Sequence, residues 1–107
     1  MKKMTVSFRF LTLTPKQGQI LKDSIPGSEL GRHFKTKKVV GCVPLTGGTK
    51  IESIIDFAAD HGLKPKDCDI FVSVSTDRDT LILDVPRIAN QIIKKMDCQM
   101  VFSLTCA

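Results

Sequence analysis

Apolar positions along this chain repeat with two spacings, every second residue and every third or fourth, and the switches between them divide it into strands and helices. From Thr5 to Leu13 the spacing is two. Val6, Phe8 and Phe10 fall on one face and Thr5, Ser7 and Arg9 on the other, until the alternation slips at Leu11 and Leu13. Thr14-Pro15-Lys16-Gln17 reads as a helix start, with Thr14 as cap, Pro15 in the first position and Gln17 closing a capping box. Ile20, Leu21 and Ile25 form its apolar side, Gly18 weakens it by about 1 kcal/mol relative to alanine, and Pro26-Gly27 stops it. Ser28 to Lys38, the least hydrophobic part of the chain, reads as an exposed loop. Val39 to Leu45, with three β-branched valines, predicts a second strand whose Pro44 belongs at a sheet edge or outside the ladder.

The element with the most fully specified ends is a helix over Thr49 to Gly62, about which the rest of the pattern is arranged. Thr49 is its expected cap, with Glu52 reaching back to the Thr49 amide. Ile51, Ile54, Ile55 and Ala58 line one face, Phe57 flanks them, Gly62 takes the left-handed turn that ends it, and Pro65 prevents its resumption. Asp69 to Thr76 alternates again, with Ile70, Val72 and Val74 facing away from Phe71, Ser73 and Ser75. The turn residues Thr76 to Asp79 and a short strand over Thr80 to Leu83 then predict a hairpin. Asp84 is the expected cap of a third helix with Val85, Ile88, Ala89, Ile92, Ile93 and Met96 on its apolar side. Gln99 to Cys106 alternates as the last strand, grouping Met100, Phe102, Leu104 and Cys106.

From Val39 onward the order strand, helix, strand, strand, helix, strand is that of a ferredoxin-like βαββαβ unit, preceded by one further strand and helix. One apolar stripe per helix favours an α+β two-layer sandwich, with all three helices on one face of a mainly antiparallel five-stranded sheet. The opposite face carries Thr5, Ser7, Arg9, Ser73, Ser75, Ser103 and Thr105, interrupted by Phe71 and Val101, so it either meets solvent or meets a partner.

Composition adds bounds to this pattern. A length of 107 residues predicts a single α+β domain over 1–107, and 42% hydrophobic with 25% charged residues is ordinary for a globular chain. A net charge of +5 favours acidic partners without choosing among nucleic acid, anionic membrane and protein. No apolar run approaches the roughly 20 residues needed to cross a bilayer, so no membrane partner is expected. Cys42, Cys68, Cys98 and Cys106 lack Cys-x-x-Cys spacing, and no signal-peptide pattern precedes the first strand, which points to reduced thiols and a cytoplasmic setting.

Two places stand out as candidate sites. Arg32, His33, Phe34, Lys35, Lys37 and Lys38 form a dense basic cluster suited to an acidic protein surface, or to phosphates with Phe34 stacking on a base. Gly47, Gly48, Thr49 and Lys50 join a strand to a helix start, where backbone amides favour an anion, although the residues form no phosphate-loop motif. His33 and His61 are the only histidines, and helix-end electrostatics account for His61. With no nucleophile motif, no ligand spacing for a metal and no convergent acid and base, the pattern points to no enzyme, no metal and no cofactor.

The order of a strand running into a Thr-Pro helix, a basic loop, a capped central helix and a terminal helix plus strand is carried by Val6 to Leu21, Ser28 to Lys38 and Thr80 to Ala107. It resembles a family of small uncharacterised bacterial α+β domains that includes candidate toxin-immunity proteins. The resemblance implies a stoichiometric inhibitor that covers a toxin's active site. Immunity proteins against nucleases tend to be acidic, so the basic character of this chain favours an acidic or neutral toxin as partner. The alternative is a nucleic-acid or phosphate-ligand binding module using the basic loop and the Gly47-Gly48 turn.

Overall fold

The structure is a computed structural model that describes residues 3–32, 38–46, 48–77 and 84–106. Among the described residues, five strands and three helices follow one another as β1 (Lys3–Leu13), α1 (Pro15–Ser24), β2 (Glu29–Arg32), β3 (Val39–Pro44), α2 (Ile51–Asp60), β4 (Cys68–Thr76), α3 (Arg87–Met96) and β5 (Gln99–Cys106), with a 3₁₀ turn at Pro65–Asp67. The strands form one sheet in the order β2-β3-β1-β4-β5. β2–β3, β3–β1 and β1–β4 pair antiparallel, and β4–β5 pairs parallel across the α3 connection.

The architecture is therefore α+β, but the sheet is mixed and its order is not ferredoxin-like. β1 lies between β3 and β4, and both sides of β4 are taken, by β1 and β5, along its length. The edge that the expected hairpin with Thr80 to Leu83 needs is occupied, and those four residues lie outside the described ones. Periodicity assigns each strand a face but says nothing about which edges meet, so the pairing was open to this error.

The three inner strands, β1, β3 and β4, send their alternate side chains into one core. Val6, Phe8, Phe10 and Leu13 of β1, Val39 and Val43 of β3, and Ile70, Val72 and Val74 of β4 are buried with Leu21 of α1, Ile54, Phe57 and Ala58 of α2, and Ala89, Ile92 and Met96 of α3. All three helices thus cover the same face. Phe57 is a core residue rather than a flank: its ring lies 5.0 Å from that of Phe10, which is itself 4.9 Å from Phe8. The slip in β1 is a register shift against β3 between Phe10 and Leu13, which returns Leu13 to the core.

Helix starts divide into one success and two corrections. Thr14 and Gln17 form the full capping box, the Gln17 amide donating to Thr14 Oγ1 at 3.1 Å and the Thr14 amide to Gln17 Oε1 at 3.0 Å. Asp84 is not the cap of α3. Pro86 holds that place in extended backbone, because the residue before a proline is driven out of the helical region and the helix cannot begin at Val85. Thr49 is not the cap of α2 either; Lys50 takes the position and no side chain caps it. The end of α2 is as expected, with Gly62 at φ 65° and the Leu63 amide donating to the Ala58 carbonyl at 2.9 Å.

The stretch expected as an exposed loop contains β2. Its four residues are all exposed and only Leu30 is a large apolar one, so no alternation marks the strand, which is held by its ladder to β3. Gly18 also has a role that propensity hides. A Cβ there would lie 2.9 Å from Val39 Cγ1, so the glycine lets α1 approach the sheet closely. Gly41 does the same from the sheet side, where a Cβ would overlap Leu21 Cδ2 and sit 3.0 Å from Leu13 Cδ1, both on fully enclosed side chains. Gly41→Ala should therefore cost about 1–3 kcal/mol in urea unfolding through overpacking. Gly31→Ala, with open space around its Cβ, should change stability by less than about 1 kcal/mol in the same assay.

Candidate functional site

With every described helix on one side, the other side of the sheet has no helix layer among the described residues. Across it runs a row of neighbours, Glu29, Cys42, Arg9, Asp69 and Gln99, one from each strand. At its centre Arg9 Nε donates to Asp69 Oδ1 at 2.7 Å and Arg9 Nη2 to Asp69 Oδ2 at 2.5 Å, a two-pronged pair. The guanidinium also lies over the Phe71 ring, 4.2 Å from its centroid. Hydrogen bonding to Asp69 raises the Arg9 pKa above its ordinary value against the opposing effect of burial. The adjoining row runs through Pro44, Ser7, Phe71 and Val101, and beyond it stand Ser73, Ser103, Ser75 and Thr105. The face thus offers a half-buried aromatic and a fixed guanidinium among small hydroxyl residues.

Alternation puts Arg9 and Asp69 on their strands without pairing them. The signal was present as opposite charges of matching phase; only the register puts them opposite each other.

The basic cluster is described at its two ends. Arg32 closes β2 and is exposed, and Lys38 is exposed just before β3, with Arg32 opposite Val39 across the ladder. His33, Phe34, Lys35 and Lys37 lie outside the described residues, as does Gly47.

The remaining turn residues sit at a cleft of about 510 Å³ between the end of α1, from Ser24 to Gly27, and the connection from β3 to α2. Gly48, Thr49, Lys50, Thr46 and Ser53 line its second wall. Thr49 is drawn into the turn itself: its hydroxyl accepts from the Thr46 amide at 2.9 Å and donates to the Pro44 carbonyl at 2.8 Å. That explains why it does not cap α2. The helix start beside Lys50 is electrostatically suited to an anionic group.

His61 stacks on Phe57 with ring centroids 4.4 Å apart at the end of α2. Among the described residues, no three His, Cys, Asp or Glu side chains come together as a metal site. No helix there is long and apolar enough to cross a membrane. Comparison with known proteins gives no match to a family model, a curated protein or a solved structure.

Cys42, Cys68 and Cys98 are free thiols, and burial raises the pKa of each. For Cys68, enclosed in the core, the value is pushed up to about 12. These thiols stay protonated at neutral pH and are poor nucleophiles.

Two outcomes follow from this chemistry. Arg9→Met leaves Asp69, 4% exposed, without its two donors. It should cost about 1–3 kcal/mol in urea unfolding, and the added cost of Asp69→Asn should be smaller in that background than in the wild type. Above about pH 9 the Cys68 thiol of an unfolded chain ionises while the folded one stays neutral until about 12. The unfolded state is favoured across that window, by up to about 1.4 kcal/mol per pH unit. Unfolding measured at pH 8 and at about pH 10.5 should show a shallower loss in Cys68→Ala than in the wild type, whatever the variant's stability at pH 8.

Proposed function

We infer that this chain is a non-catalytic binding protein of the immunity type, which neutralises a bacterial toxin by stoichiometric docking on an acidic or neutral surface of that protein. The observation that carries the reading is the sheet face that no described helix covers. A bidentate pair fixes Arg9 over Phe71, so a partner meets groups whose positions are set before binding, and little side-chain entropy is lost on contact. Arg32 and Lys38 stand exposed at the β2–β3 rim, Arg32 on the helix-covered side opposite Val39, and add positive charge at the border of the uncovered face. Net charge of +5 supports the same polarity. The resemblance to small bacterial domains that include candidate immunity proteins supplies the biological class.

A second reading, a nucleic-acid or phosphate-ligand binding module, is favoured by the cleft beside Gly48, Thr49 and Lys50, which is large enough for a small phosphorylated molecule.

Affinity purification from the chain's own cells at low and moderate salt separates the two. The docking reading expects one protein retained in one-to-one ratio at moderate salt. That protein should arrest growth when expressed alone and be neutralised by co-expression with this chain, and both retention and protection should fall at least about tenfold with Arg32→Glu/Lys38→Glu and with Phe71→Ala. Nucleic acid or phosphate-bearing ligand retained only at low salt, lost log-linearly with salt and weakened by Lys50→Ala, would sink the docking reading in favour of the second.

A further inference from the structure

Of the two outer strands of this sheet, β2 carries the features that discourage edge pairing and β5 carries none of them. β2 has four residues, opens on Glu29 and closes on Arg32. β5 runs for eight residues, Gln-Met-Val-Phe-Ser-Leu-Thr-Cys, without a charge, a proline or a glycine. Its register against β4 continues without a bulge from Asp69–Gln99 to Thr76–Cys106. Among the described residues its outer side has no strand beside it. Phe102 and Leu104 lie opposite Val72 and Val74 and so belong to the helix-covered face, yet they are 54% and 63% exposed where the valines are 0% and 2%. The helix layer covers β4 and ends before the second half of β5.

We propose that β5 is the interface of a twofold homodimer, its occupant being β5 of a second copy running antiparallel. Charge allows a second copy at this edge: each chain carries +5, which opposes self-association, but β5 meets β5 with no like charges opposed. Sequence symmetry supports it as well. Pairing about Ser103 sets Phe102 of each copy against Leu104 of the other on the helix side, and Val101 against Thr105 on the open side, so each of these contacts occurs twice and Ser103 meets Ser103 on the axis. Closure follows from β2: once the two β5 strands are joined, the outer edges of the double sheet among the described strands are both β2, guarded by Glu29 and Arg32, and growth stops at two.

The strand is about 27 Å long at roughly 3.4 Å per residue. With the two exposed apolar side chains, the contact buries on the order of 1,000 Å² over both copies, the lower limit for a specific interface. A contact at that limit is of the size of weak, transient interfaces, so association is to be sought in the micromolar range.

Light scattering behind size-exclusion chromatography of the full chain, loaded from about 1 to about 200 μM, tests this. The wild type should pass from monomer to dimer across that range. Phe102→Lys and Leu104→Lys, both on exposed side chains, should weaken association at least about tenfold, and Leu30→Lys on the β2 edge should leave it unchanged. Monomer at every concentration, dimer that survives both lysines, or dimer lost in Leu30→Lys would each overturn the proposal. Should a lysine variant lose the folded circular-dichroism signature, Ser103→Cys serves instead. Its twofold-related thiols fall within disulfide reach, and oxidation should yield a cross-linked dimer in excess of the wild type; an excess no greater than the wild type's also overturns it.

Discussion

The packing of three helices onto one face of β1 and its neighbours is the constraint from which the rest of this structure follows. β1 is the central strand, and Val6, Phe8, Phe10 and Leu13 point from it into the core. An uninterrupted set of rings, Phe8 to Phe10 to Phe57 to His61, ties that strand to the end of α2. Gly18 and Gly41 let α1 close down on β3, and the core reaches close packing because no Cβ stands at either point. Once the apolar stripes of all three helices are satisfied on this side, nothing apolar remains among the described helices to cover the other.

The uncovered face and the uncovered edge are consequences of that one-sided arrangement. On the face, a charged pair at the centre of the sheet is held by geometry rather than by enclosure, with Asp69 buried and Arg9 partly open above Phe71. Such a pair contributes little net stability relative to apolar residues of the same shape, but removing one member leaves the other unpaired. Its value lies in holding a cation and an aromatic ring in fixed relation. At the β5 edge the helix layer runs out, leaving Phe102 and Leu104 as a continuation of the core without a roof. Both features present surface suited to contact with another molecule, one polar and rigid, the other apolar and extended.

Much of the local structure was legible because it depends on neighbours in the chain. The Thr14–Gln17 capping box, the Gly62 stop, the alternation of β1 and β4 and the apolar side of α3 are set by spacings of two to four residues, and each is found. The failures arose where a competing local partner or a distant strand decided the matter. Thr49 bonds back to Thr46 and Pro44 instead of forward into α2, Pro86 displaces the start of α3 from Asp84, and β2 exists because β3 offers it an edge. Of the candidate sites, the charge of the Arg32 to Lys38 cluster and the Gly48–Lys50 turn could be read directly, whereas the cleft joining that turn to the end of α1 could not.

The sequence by itself determined the alternating faces of β1 and β4, the stop of α2, the α+β class and the positive charge, since these depend on side-chain periodicity, composition and backbone restrictions that act within a few residues. Only the tertiary structure decided that β1 lies between β3 and β4, that β5 runs parallel to β4 at the margin of the sheet, and that Arg9 meets Asp69. The physical reason is that a strand's periodicity specifies a face but leaves its two edges equivalent. Which edge pairs with which, and hence which charges meet across the ladder and which apolar side chains stay uncovered, is settled by the packing of the whole chain.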